Sequence, residues 1–461
     1  MQIIQTGIKG LFVIEPKVWE DNRGHFFESF RADILRTQGV ETNFVQDNQS
    51  LSVEVGTLRG LHFQNHPWAQ TKLVRCIRGR ILDVVVDLRP DSKTFKKHFA
   101  VELSEKNKKQ LFIPHGFAHG FVTLEGNSEI AYKVDNYYNK SCDRSIAYND
   151  PEFKIDWGVK NPVLSDKDKL APIFKNSDFN FGAKVLVTGV KGQLGFDVVK
   201  ELEKRGVDCK GVDLADFDLT DKTQVSKYLT KYKPTHVVHC AAYTAVDRAE
   251  EDKETCFKVN VDGTKNLLEA TKKLEAKFLF ISTDYVYGGA GNNTLKPTDN
   301  SNPQNIYAKS KVLAEDIVRT HDKHFIVRTS WVFGRNGNNF VKTMLRLGRE
   351  KPELNIINDQ VGSPTYTVDL AKLLVDMIFS NRYGAYNASN EGFCSWFDFA
   401  REILKQVDVK TPIKPITTKD YKTPATRPQN SRLCKQKLVD NGFEKLPTWQ
   451  NALLRYLEET K

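Results

Sequence analysis

The chain has 461 residues and a mass of 52.6 kDa, which predicts two or three domains rather than one. Hydrophobic residues make up 40% of the chain and charged residues 27%, a composition that is typical of globular enzymes and excludes a disordered or collagen-like chain. The net charge of +10 includes no sustained basic run. We therefore expect small anionic partners rather than nucleic acid.

The chain carries no recognisable targeting signal. It lacks a run of about 18 apolar residues, so we expect no transmembrane helix and no membrane partner. The first residues, MQIIQTGIKGLFVIEP, lack the charged, apolar and small-residue regions of a secretory signal. The seven cysteines are dispersed without a CxxC pair, which argues against a zinc ribbon or a disulfide framework. We predict a cytoplasmic protein.

The first half of the chain reads as a series of short strands. β-branched and aromatic residues between turn formers predict strands at 11–14, 73–78, 80–86, 98–103 and 130–134. Helical periodicity is scarce there, apart from a short candidate at 32–38. Many short strands in about 180 residues predict an all-β sandwich or jelly roll for residues 1–182.

The second half alternates strands with helices. Strands are predicted at 184–187, 235–240, 278–282 and 325–329, and a helix is predicted to begin near Gln193. Such alternation predicts a doubly wound parallel sheet of the Rossmann type for residues 183–461. The polar stretch KNSDFNFGA at 175–183 is interpreted as the linker between the two domains.

A glycine-rich loop follows the first strand of the second half. The sequence TGVKGQLG contains Gly189, Gly192 and Gly195, which suit a tight turn and a close approach to a dinucleotide pyrophosphate at a helix N-terminus. Asp213 ends the next predicted strand, where a carboxylate accepts hydrogen bonds from an adenosine ribose. Asp218 is a second candidate for the adenosine side. The alternative for either aspartate is a helix cap or turn residue.

A tyrosine and a lysine are four residues apart in NIYAKSK. If the segment is helical, Tyr307 and Lys311 share a face, and the ammonium group is expected to lower the pKa of the tyrosine. Such a tyrosine exchanges a proton with a ketone or alcohol oxygen while a nicotinamide exchanges hydride. The segment ISTDYVYG places Ser282 and Thr283 at the carboxyl edge of the sheet. The alternative is an ordinary surface helix.

These motifs, together with AAYTAVDRAE, TSWVFG, INDQVGSPT and RPQNSRL, closely resemble the dTDP-4-dehydrorhamnose reductases over about residues 184–460. That family belongs to the extended short-chain dehydrogenases. The resemblance implies that Thr283 helps to hold the sugar ketone, that Tyr307 is the general acid, and that Lys311 orients Tyr307 and the nicotinamide ribose of NADPH or NADH. It implies cofactor contacts from Gly189, Gly192, Gln193, Leu194, Gly195, Asp213, Asp218, Leu219, Ala241, Ala242, Tyr307 and Lys311. It implies a small substrate-binding part with contacts from Val246, Trp331, Asn339, Gln360 and Arg427.

Two histidines stand out in the first half, in LRGLHFQ and IPHGFAHGF. The spacing of Pro114, Gly116 and His119 resembles the second motif of cupin barrels. The first cupin motif usually carries His-x-His, but here it reads His62-Phe63-Gln64, so one expected metal ligand is missing. We predict no metal site, and metal binding through the two histidines is the alternative. An isolated histidine is otherwise a hydrogen-bonded core residue.

The segments FVQDN, LRGLHFQ, AQTKLVRC, IPHGFAHGF, EIAYKVDNYY and LSDKDKLAP closely resemble the dTDP-4-dehydrorhamnose 3,5-epimerases over about residues 3–178. The resemblance implies that His62 is the base, that Asp168 orients it, that Lys72 stabilises the enolate oxygen and that Tyr132 is the acid. Arg23 and Arg59 are implied as diphosphate contacts, which suits guanidinium geometry. The implied pocket also includes Glu28, Gln46, Asn48, His119 and Tyr138.

The two resemblances together predict a bifunctional enzyme that makes dTDP-L-rhamnose. An N-terminal cupin-like epimerase domain would invert C3 and C5 of dTDP-4-dehydro-6-deoxy-D-glucose, and a C-terminal reductase domain would reduce C4. We expect a homodimer formed through the N-terminal domain. In one alternative the pair makes a different dTDP-6-deoxyhexose. In the other, one half is a non-catalytic nucleotide-sugar-binding module.

Overall fold

The computed structural model describes residues 1–41 and 43–460. The chain divides into two compact units, Met1–Gly182 and Ala183–Lys461, which confirms the prediction of two domains. Within the described residues, no helix combines the length and the apolar content that crossing a membrane requires.

The first unit consists almost entirely of strands. Each strand predicted there is present, with ends that differ by one or two residues, and the short predicted helix is present as well. The strands are β1 (Gln2–Gln5), β2 (Phe12–Glu15), β3 (Val18–Asp21), β4 (Gly24–Phe27), β5 (Gln46–Ser52), β6 (Leu58–Gln64), β7 (Lys72–Arg78), β8 (Arg80–Asp87), β9 (His98–Ser104), β10 (Gln110–Ile113), β11 (Phe117–Thr123), β12 (Ser128–Val134) and β13 (Asp143–Ser145). The α-helices are α1 (Ala32–Thr37) and α2 (Asp166–Lys169), and Phe174–Asn176 forms a 3₁₀ turn.

Two antiparallel sheets build the body of this unit. One has the strand order β1-β2-β10-β7-β12-β5 and the other has the order β13-β6-β11-β8-β9. Val74 and Ile130 of the first sheet pack with Val85 and Phe121 of the second, so the core lies between the sheets. Strands β3 and β4 form a separate hairpin.

The interpretation of residues 175–183 as a simple linker is wrong. Phe179 and Phe181 pack with the buried Phe174 against the outer face of the second sheet. The Asn180 side chain accepts a hydrogen bond from the His66 amide at 2.8 Å and donates to the His66 carbonyl at 2.9 Å. The polar residues of this stretch alternate with phenylalanines that need burial, so most of the stretch belongs to the first unit.

The second unit alternates strands and helices as predicted. Its strands are β14 (Lys184–Thr188), β15 (Asp208–Val212), β16 (His236–His239), β17 (Lys277–Thr283), β18 (His324–Thr329), β19 (Val332–Phe333), β20 (Leu354–Ile357), β21 (Val361–Gly362), β22 (Thr365–Tyr366), β23 (Gly384–Asn387), β24 (Cys394–Ser395), β25 (Ile413–Ile416) and β26 (Asn430–Ser431). Its α-helices are α3 (Gln193–Lys204), α4 (Lys222–Tyr232), α5 (Lys253–Phe257), α6 (Gly263–Lys273), α7 (Ile306–Val318), α8 (Phe340–Glu350), α9 (Thr367–Phe379), α10 (Trp396–Gln406), α11 (Gln436–Asp440) and α12 (Trp449–Glu459).

The main sheet of this unit is parallel and has the order β15-β14-β16-β17-β18-β23. Helices α3 and α9 pack on one face through Leu194 and Leu374, and helices α4, α6 and α7 pack on the other through residues such as Leu229 and Ala314. The chain runs from β14 to β15 on one side and then returns to β16 on the other side of β14. The carboxyl ends of β14 and β16 therefore border a crevice, which is where open α/β sheets bind ligands.

A smaller part of the second unit has its own core. Helices α8, α10 and α12 contribute to a cluster that includes Phe333, Met344, Phe399 and Trp449. Trp331 borders this cluster and stacks on Trp396 with ring centroids 3.6 Å apart. The chain thus places a second layer of side chains beside the carboxyl edge of the main sheet.

Candidate active sites

A histidine–aspartate pair lies at the end of the first unit's second sheet. His62 on β6 has its Nε2 2.5 Å from Oδ1 of Asp168, whose side chain is 2% exposed. Ser165 caps α2 and also donates to Asp168 Oδ2 at 2.7 Å. Burial raises the pKa of Asp168, but the hydrogen bonds from His62 and Ser165 outweigh burial and lower that pKa below its usual value. An ionised Asp168 accepts from Nε2–H, so the basic lone pair of His62 lies on Nδ1.

A second histidine lies directly across the strand pair. The register of β11 and β6 places His119 opposite His62. The Nε2 atom of His119 lies 3.0 Å from both carboxylate oxygens of Asp83, which is fully buried on β8. Burial lowers the pKa of His119, and Asp83 acts against this shift. His119 is therefore held in position by Asp83, opposite the proposed base His62.

Lys72 and Tyr132 occupy neighbouring strands of the facing sheet. The Lys72 Nζ lies 6.0 Å from the centroid of the Tyr132 ring, and the register pairs Tyr132 with Asn48. Burial lowers the pKa of Lys72 to about 8, whereas Asp83 acts to raise it. Burial also raises the pKa of Tyr132. At neutral pH the tyrosine retains the proton that an acid must donate.

The other predicted residues of this site divide into two groups. Gln46 and Asn48 lie on the same face of β5 and share a hydrogen bond of 2.8 Å. The Arg59 Nε donates to Ser52 Oγ at 3.2 Å, and the charge of Arg59 acts on the pKa of Tyr132.

Three predicted pocket residues have described contacts only with other neighbours. Arg23 forms an ion pair with Asp21 on the β3–β4 hairpin, and its side chain is 85% exposed. Glu28 contacts Arg31. The exposed Tyr138 donates to Asp143 Oδ2 at 3.3 Å. No described contact joins any of these three side chains to His62.

In the second unit, the glycine loop fits a dinucleotide. Gly189 has a φ of +73°, and a Cβ there would lie 2.6 Å from the Ala241 amide nitrogen. A Cβ on Gly195 would lie 2.4 Å from the Gly189 carbonyl oxygen. Gly192 is the N-cap residue of α3 and provides no side-chain cap, so the first amides of that helix face the loop. Only glycines allow this close turn, and the uncapped helix start suits an anionic pyrophosphate.

The adenosine side of this crevice contains most of the remaining predicted cofactor residues. One pocket is lined by Thr188, Gly189, Val212, Asp213, Leu214, Phe217, Asp218, Leu219, Thr220, Ala241, Ala242 and Val259. Asp213 Oδ2 accepts the Lys191 amide at 2.9 Å, and Asp218 Oδ1 accepts the Thr220 amide at 2.8 Å. Both aspartates therefore have turn-stabilising contacts and also line the pocket.

Gln193 and Leu194 begin α3 at the other end of the loop. Leu194 is part of the core, whereas the side chain of Gln193 donates from Nε2 to the Asn338 carbonyl at 3.2 Å and accepts at Oε1 from Asn339 Nδ2 at 3.2 Å. Asn339 is also the N-cap of α8. Asn339 thus ties the small part of the unit to the glycine loop.

The predicted reduction residues meet at the carboxyl end of β17. Thr283 ends that strand, and Tyr307 lies on the first turn of α7, close enough for Thr283 to act on its pKa. Lys311 follows one turn later, is 2% exposed and has its Nζ 4.0 Å from the centroid of Phe280. The surface-helix alternative is therefore wrong, because Lys311 faces the sheet.

The expected lowering of the tyrosine's pKa is wrong for the protein without its cofactor. Burial and the Asp284 carboxylate raise the pKa of Tyr307, although Thr283 acts in the opposite direction. Burial also lowers the pKa of Lys311 to about 7, so the expected ammonium charge is itself disfavoured. Desolvation therefore has a larger effect on the pKa of Tyr307 than the Lys311 charge that the four-residue spacing suggested.

Arg427, one of the predicted substrate residues, is connected to Tyr307 through Tyr285. It forms an ion pair with Asp247 at 2.5 Å, and its charge acts to lower the pKa of Tyr285, whose ring meets that of Tyr307 edge-on at 5.9 Å. Val246 is half-buried next to Asp247.

Trp331 and Gln360 have described contacts elsewhere. Trp331 stacks on Trp396, and the buried Gln360 donates to Thr418 Oγ1 at 3.1 Å. Neither has a described contact with Tyr307, so they border the crevice rather than the proposed acid.

The sequence-based interpretation missed several side chains at these sites. Asp83 interrupts the apolar strand ILDVVVD, and a charge in such a run was an available signal. Asp284 and Asp247 lie inside segments that were noted for other residues. Ser431 lies in the segment RPQNSRL, which was noted for the resemblance, but its contact with Asp284 spans 147 residues and no local pattern indicates it. Among the described residues, no group of three or more His, Cys, Asp or Glu side chains is arranged to hold a metal ion.

Comparison with known proteins assigns each unit to a family. The family model for dTDP-4-dehydrorhamnose 3,5-epimerase matches residues 5–176, and the family model for the RmlD substrate binding domain matches residues 183–461. The spore coat polysaccharide biosynthesis protein SpsK of Bacillus subtilis is 38% identical over 277 residues, which cover 60% of this chain and 97% of SpsK. The dTDP-4-dehydrorhamnose 3,5-epimerase of Shigella flexneri is 47% identical over 180 residues, which cover 39% of this chain and 99% of that enzyme.

A solved structure supports the second assignment. The dTDP-4-dehydrorhamnose reductase of Bacillus anthracis in complex with NADP is 40% identical, with a TM-score of 0.59, and the match covers 60% of this chain and 99% of that one. The chain therefore belongs to the RmlD family over residues 183–461 and, as a fusion, to the dTDP-4-dehydrorhamnose 3,5-epimerase family over residues 5–176.

Proposed function

We propose that the chain catalyses two consecutive steps that yield dTDP-L-rhamnose. The first unit inverts C3 and C5 of dTDP-4-dehydro-6-deoxy-D-glucose, and the second reduces the C4 ketone with NADPH or NADH. The observation that carries this proposal is that each unit has its own acid–base group. His62 and Asp168 form one, and Tyr307 and Lys311 form the other. Relatives of each unit are named for the corresponding reaction.

For the epimerisation, the C4 ketone acidifies the hydrogens on C3 and C5. Nδ1 of His62 removes a proton, and Asp168 stabilises the imidazolium that forms. Lys72 donates to the enolate oxygen, whose negative charge favours the lysine's ammonium form. Tyr132 returns a proton on the opposite face, which inverts the centre. Arg59 binds the diphosphate, and Gln46, Asn48 and His119 line the pocket.

For the reduction, the bound nicotinamide supplies hydride to C4 of the sugar. Tyr307 donates its proton to the alkoxide oxygen that develops at C4. Thr283 helps to hold that oxygen, and Lys311 orients the tyrosine. The raised pKa of Tyr307 keeps its proton in place at neutral pH. Arg427 is placed to bind the anionic part of the substrate, since it borders Tyr285 next to Tyr307.

The cofactor-binding residues suit a dinucleotide whose adenosine ribose is either unmodified, as in NADH, or phosphorylated, as in NADPH. Gly189 and Gly195 make room for the pyrophosphate, and the carboxylate of Asp213 suits an unmodified 2′-hydroxyl. The Bacillus anthracis relative is solved with NADP, so the phosphorylated form is equally a candidate. We assign both NADPH and NADH as cofactors, with Asp213 and Asp218 on the adenosine side.

The finer features of the fold and assembly are part of this proposal. We assign the first unit to the cupin-like jelly rolls and the second to the Rossmann folds, with the cluster around Phe399 as the substrate-binding part. A homodimer through the first unit is supported by the exposed apolar side chains of the β3–β4 hairpin, where Phe26 is 68% exposed. The described cysteines are all free, which suits a cytoplasmic location.

The decisive experiment supplies the 4-keto sugar nucleotide to the intact protein with NADPH or NADH in deuterated water. Proton NMR of the product should show dTDP-L-rhamnose with deuterium at C3 and C5. Deuterium at only one centre, or another C4 configuration, would indicate a different deoxyhexose. Absence of either half-reaction would identify that unit as a non-catalytic module.

A further inference from the structure

Three distant segments of the second unit meet at the start of the helix that carries Tyr307. They are residues 247–250 after β16, residues 305–307 at the beginning of α7, and residues 425–427 between β25 and β26. Each pair of these segments is joined by at least one hydrogen bond. The reduction proposed above uses Tyr307 and Arg427 from this junction and leaves the groups that connect them without a role.

The segment that contains Arg427 is anchored to Asp247. The Asp247 carboxylate accepts from the two terminal nitrogens of the Arg427 guanidinium at 3.0 and 2.5 Å. It also accepts the Ala425 amide at 3.2 Å. A two-point contact with a carboxylate fixes the orientation of a guanidinium group. Asp247 therefore sets the direction in which the Arg427 side chain points.

Asn305 joins the same segment to α7. Asn305 is the N-cap residue of that helix and is 3% exposed. Its side-chain oxygen accepts the Ala308 amide at 2.7 Å, and its side-chain nitrogen donates to the Thr426 carbonyl at 2.8 Å. Thr426 directly precedes Arg427, and Tyr307 lies two residues after Asn305. One side chain thus links the backbone beside the proposed substrate contact to the backbone beside the proposed proton donor.

The two contacts of Asn305 require an asparagine. A helix N-cap needs only a side-chain acceptor, which serine, threonine and aspartate also provide. Among these cap residues, asparagine alone combines an acceptor oxygen with a separate N–H donor. The contact with the Thr426 carbonyl therefore uses the part of Asn305 that the helix cap does not need.

A third contact completes the junction. The Glu250 carboxylate accepts the Ile306 amide at 2.8 Å, and so satisfies another free amide in the first turn of α7. Glu250 lies three residues after Asp247, which anchors Arg427. The start of α7 and the position of Arg427 are therefore determined by one connected set of contacts.

We propose that Asn305 is a positioning residue of the reduction site that sets the separation between Arg427 and Tyr307. This inference rests on the reduction proposed above, in which Arg427 binds the anionic part of the substrate and Tyr307 donates the proton. A sugar held by its diphosphate presents C4 to Tyr307 only if this separation is kept, because a misplacement of about 1 Å costs about 100-fold in rate. Asn305 acts through these two residues and is assigned no contact with the reacting atoms.

The first test compares the intact wild-type protein with Asn305→Asp. Aspartate keeps the acceptor that caps α7 but cannot donate to the Thr426 carbonyl. We expect kcat/KM for dTDP-4-dehydro-L-rhamnose to fall about 10- to 100-fold, and the inhibition constant of dTDP against this substrate to rise. The KM of the nicotinamide cofactor should stay unchanged. An unchanged kcat/KM together with an unchanged inhibition constant would overturn the inference.

A second variant keeps the test decisive if a buried carboxylate prevents folding. Asn305→Ser retains a capping oxygen and adds no charge, but it lacks the amide group that reaches Thr426, so we expect the same loss. Thr448→Asp is the matched control, because it introduces a carboxylate at the N-cap of α12 and should leave both kinetic constants unchanged. Wild-type kinetics in Asn305→Ser would overturn the inference, as would an equal loss in Thr448→Asp.

The readouts separate this inference from the proposed function. A wild-type protein that fails to reduce the sugar would refute the reduction itself, and this inference with it. Arg427→Ala should raise the KM of the sugar nucleotide in the same assay. If it does so while both Asn305 variants keep wild-type kinetics, only the role of Asn305 is refuted. Deuterium exchange at C3 and C5 in the first unit serves as an internal measure of active protein.

Discussion

Two lysines and two tyrosines take part in the proposed chemistry, and burial shifts each of them toward its neutral form. The pKa of Lys72 is lowered to about 8 and that of Lys311 to about 7, whereas the pKa values of Tyr132 and Tyr307 are raised. A neutral tyrosine is a competent proton donor. An anion that forms beside either lysine during the reaction raises the pKa of that lysine and favours its ammonium form. The lysine is then positively charged and stabilises the anion.

Replacing His62 with alanine should abolish epimerisation without affecting the second unit. The variant loses the proposed base, which is expected to cost about 10²–10⁴-fold in rate. Deuterium incorporation at C3 and C5, followed by NMR, measures the effect. Incorporation at the wild-type rate would contradict the role of His62, and unchanged reduction of dTDP-4-dehydro-L-rhamnose serves as the control.

Replacing Tyr307 with phenylalanine should have the reciprocal effect. The ring stays and only the hydroxyl is lost, so the fold and cofactor binding should persist while nicotinamide oxidation collapses. The 4-keto sugar should still exchange its C3 and C5 hydrogens in deuterated water. Reduction at close to the normal rate would refute Tyr307 as the acid, and loss of exchange would reveal coupling between the two sites.

Replacing Lys72 with arginine should remove an alkaline limb from epimerisation. The ammonium form stabilises the enolate, so the contribution of Lys72 to wild-type exchange is complete below a pH of about 8 and declines as pH rises through that value. Arginine stays protonated, although its planar fork fits the site less well and lowers the rate. Exchange rates between pH 6 and 10 measure both effects, and an alkaline limb that persists in the variant would contradict the assignment.

At the scale of elements, the β3–β4 hairpin is the clearest unpartnered feature of the first unit. Trp19 is 46% exposed and Phe26 is 68% exposed, with their rings 6.0 Å apart. Arg23 lies in the turn between the two strands. Two exposed aromatics on a projecting hairpin are typical of a surface that packs against another molecule.

The double variant Trp19→Ser, Phe26→Ser should weaken the proposed homodimer. The hairpin side chains contribute little to the core of their own unit, so folding should persist while apolar contact area is lost. Light scattering across a dilution series would show a shift from dimer toward monomer. The matched control is Leu214→Ser, which changes an exposed apolar residue of the second unit. Unchanged dimer mass in the hairpin variant would exclude this surface.

At the scale of the whole chain, two units with separate cores carry two consecutive reactions. Each unit has its own buried apolar clusters, as expected for domains that fold independently. The segment before Ala183 belongs to the first unit, since Phe179 and Phe181 pack there. The residue at which the two units are separated therefore affects the stability of the first unit.

Residues 1–182 and 183–461, expressed separately, should each fold and retain one half-reaction. A fragment that ends at residue 173 should be less stable, because it lacks the buried Phe174 and the two phenylalanines that follow. Thermal unfolding measures the stability of each fragment, and assays of epimerisation and reduction measure its activity. Loss of both activities in the longer fragments would indicate one integrated core. The time before dTDP-L-rhamnose appears is compared between the mixed fragments and the intact chain. An equal lag in both would show that fusion does not speed the transfer of the intermediate between the two sites.

Local pattern in the sequence was enough for the class of both units and for the elements on which several candidate site residues lie. Runs of β-branched and aromatic residues between turn formers identified the strands of the first unit, and the strand–glycine loop–helix order identified the crevice at Gly189. The spacing of Tyr307 and Lys311 placed both on α7. These features depend on near neighbours in the chain, which is why pattern alone reveals them.

The tertiary structure alone decided burial, charge state and distant contacts. The raised pKa of Tyr307 follows from desolvation, which the spacing to Lys311 does not contain. Phe179 and Phe181 turn an apparent linker into part of a core. The contact between Ser431 and Asp284 closes 147 residues of chain. Sequence periodicity determines which face of an element is apolar, but only packing of the elements determines which polar groups lose water and which groups they meet.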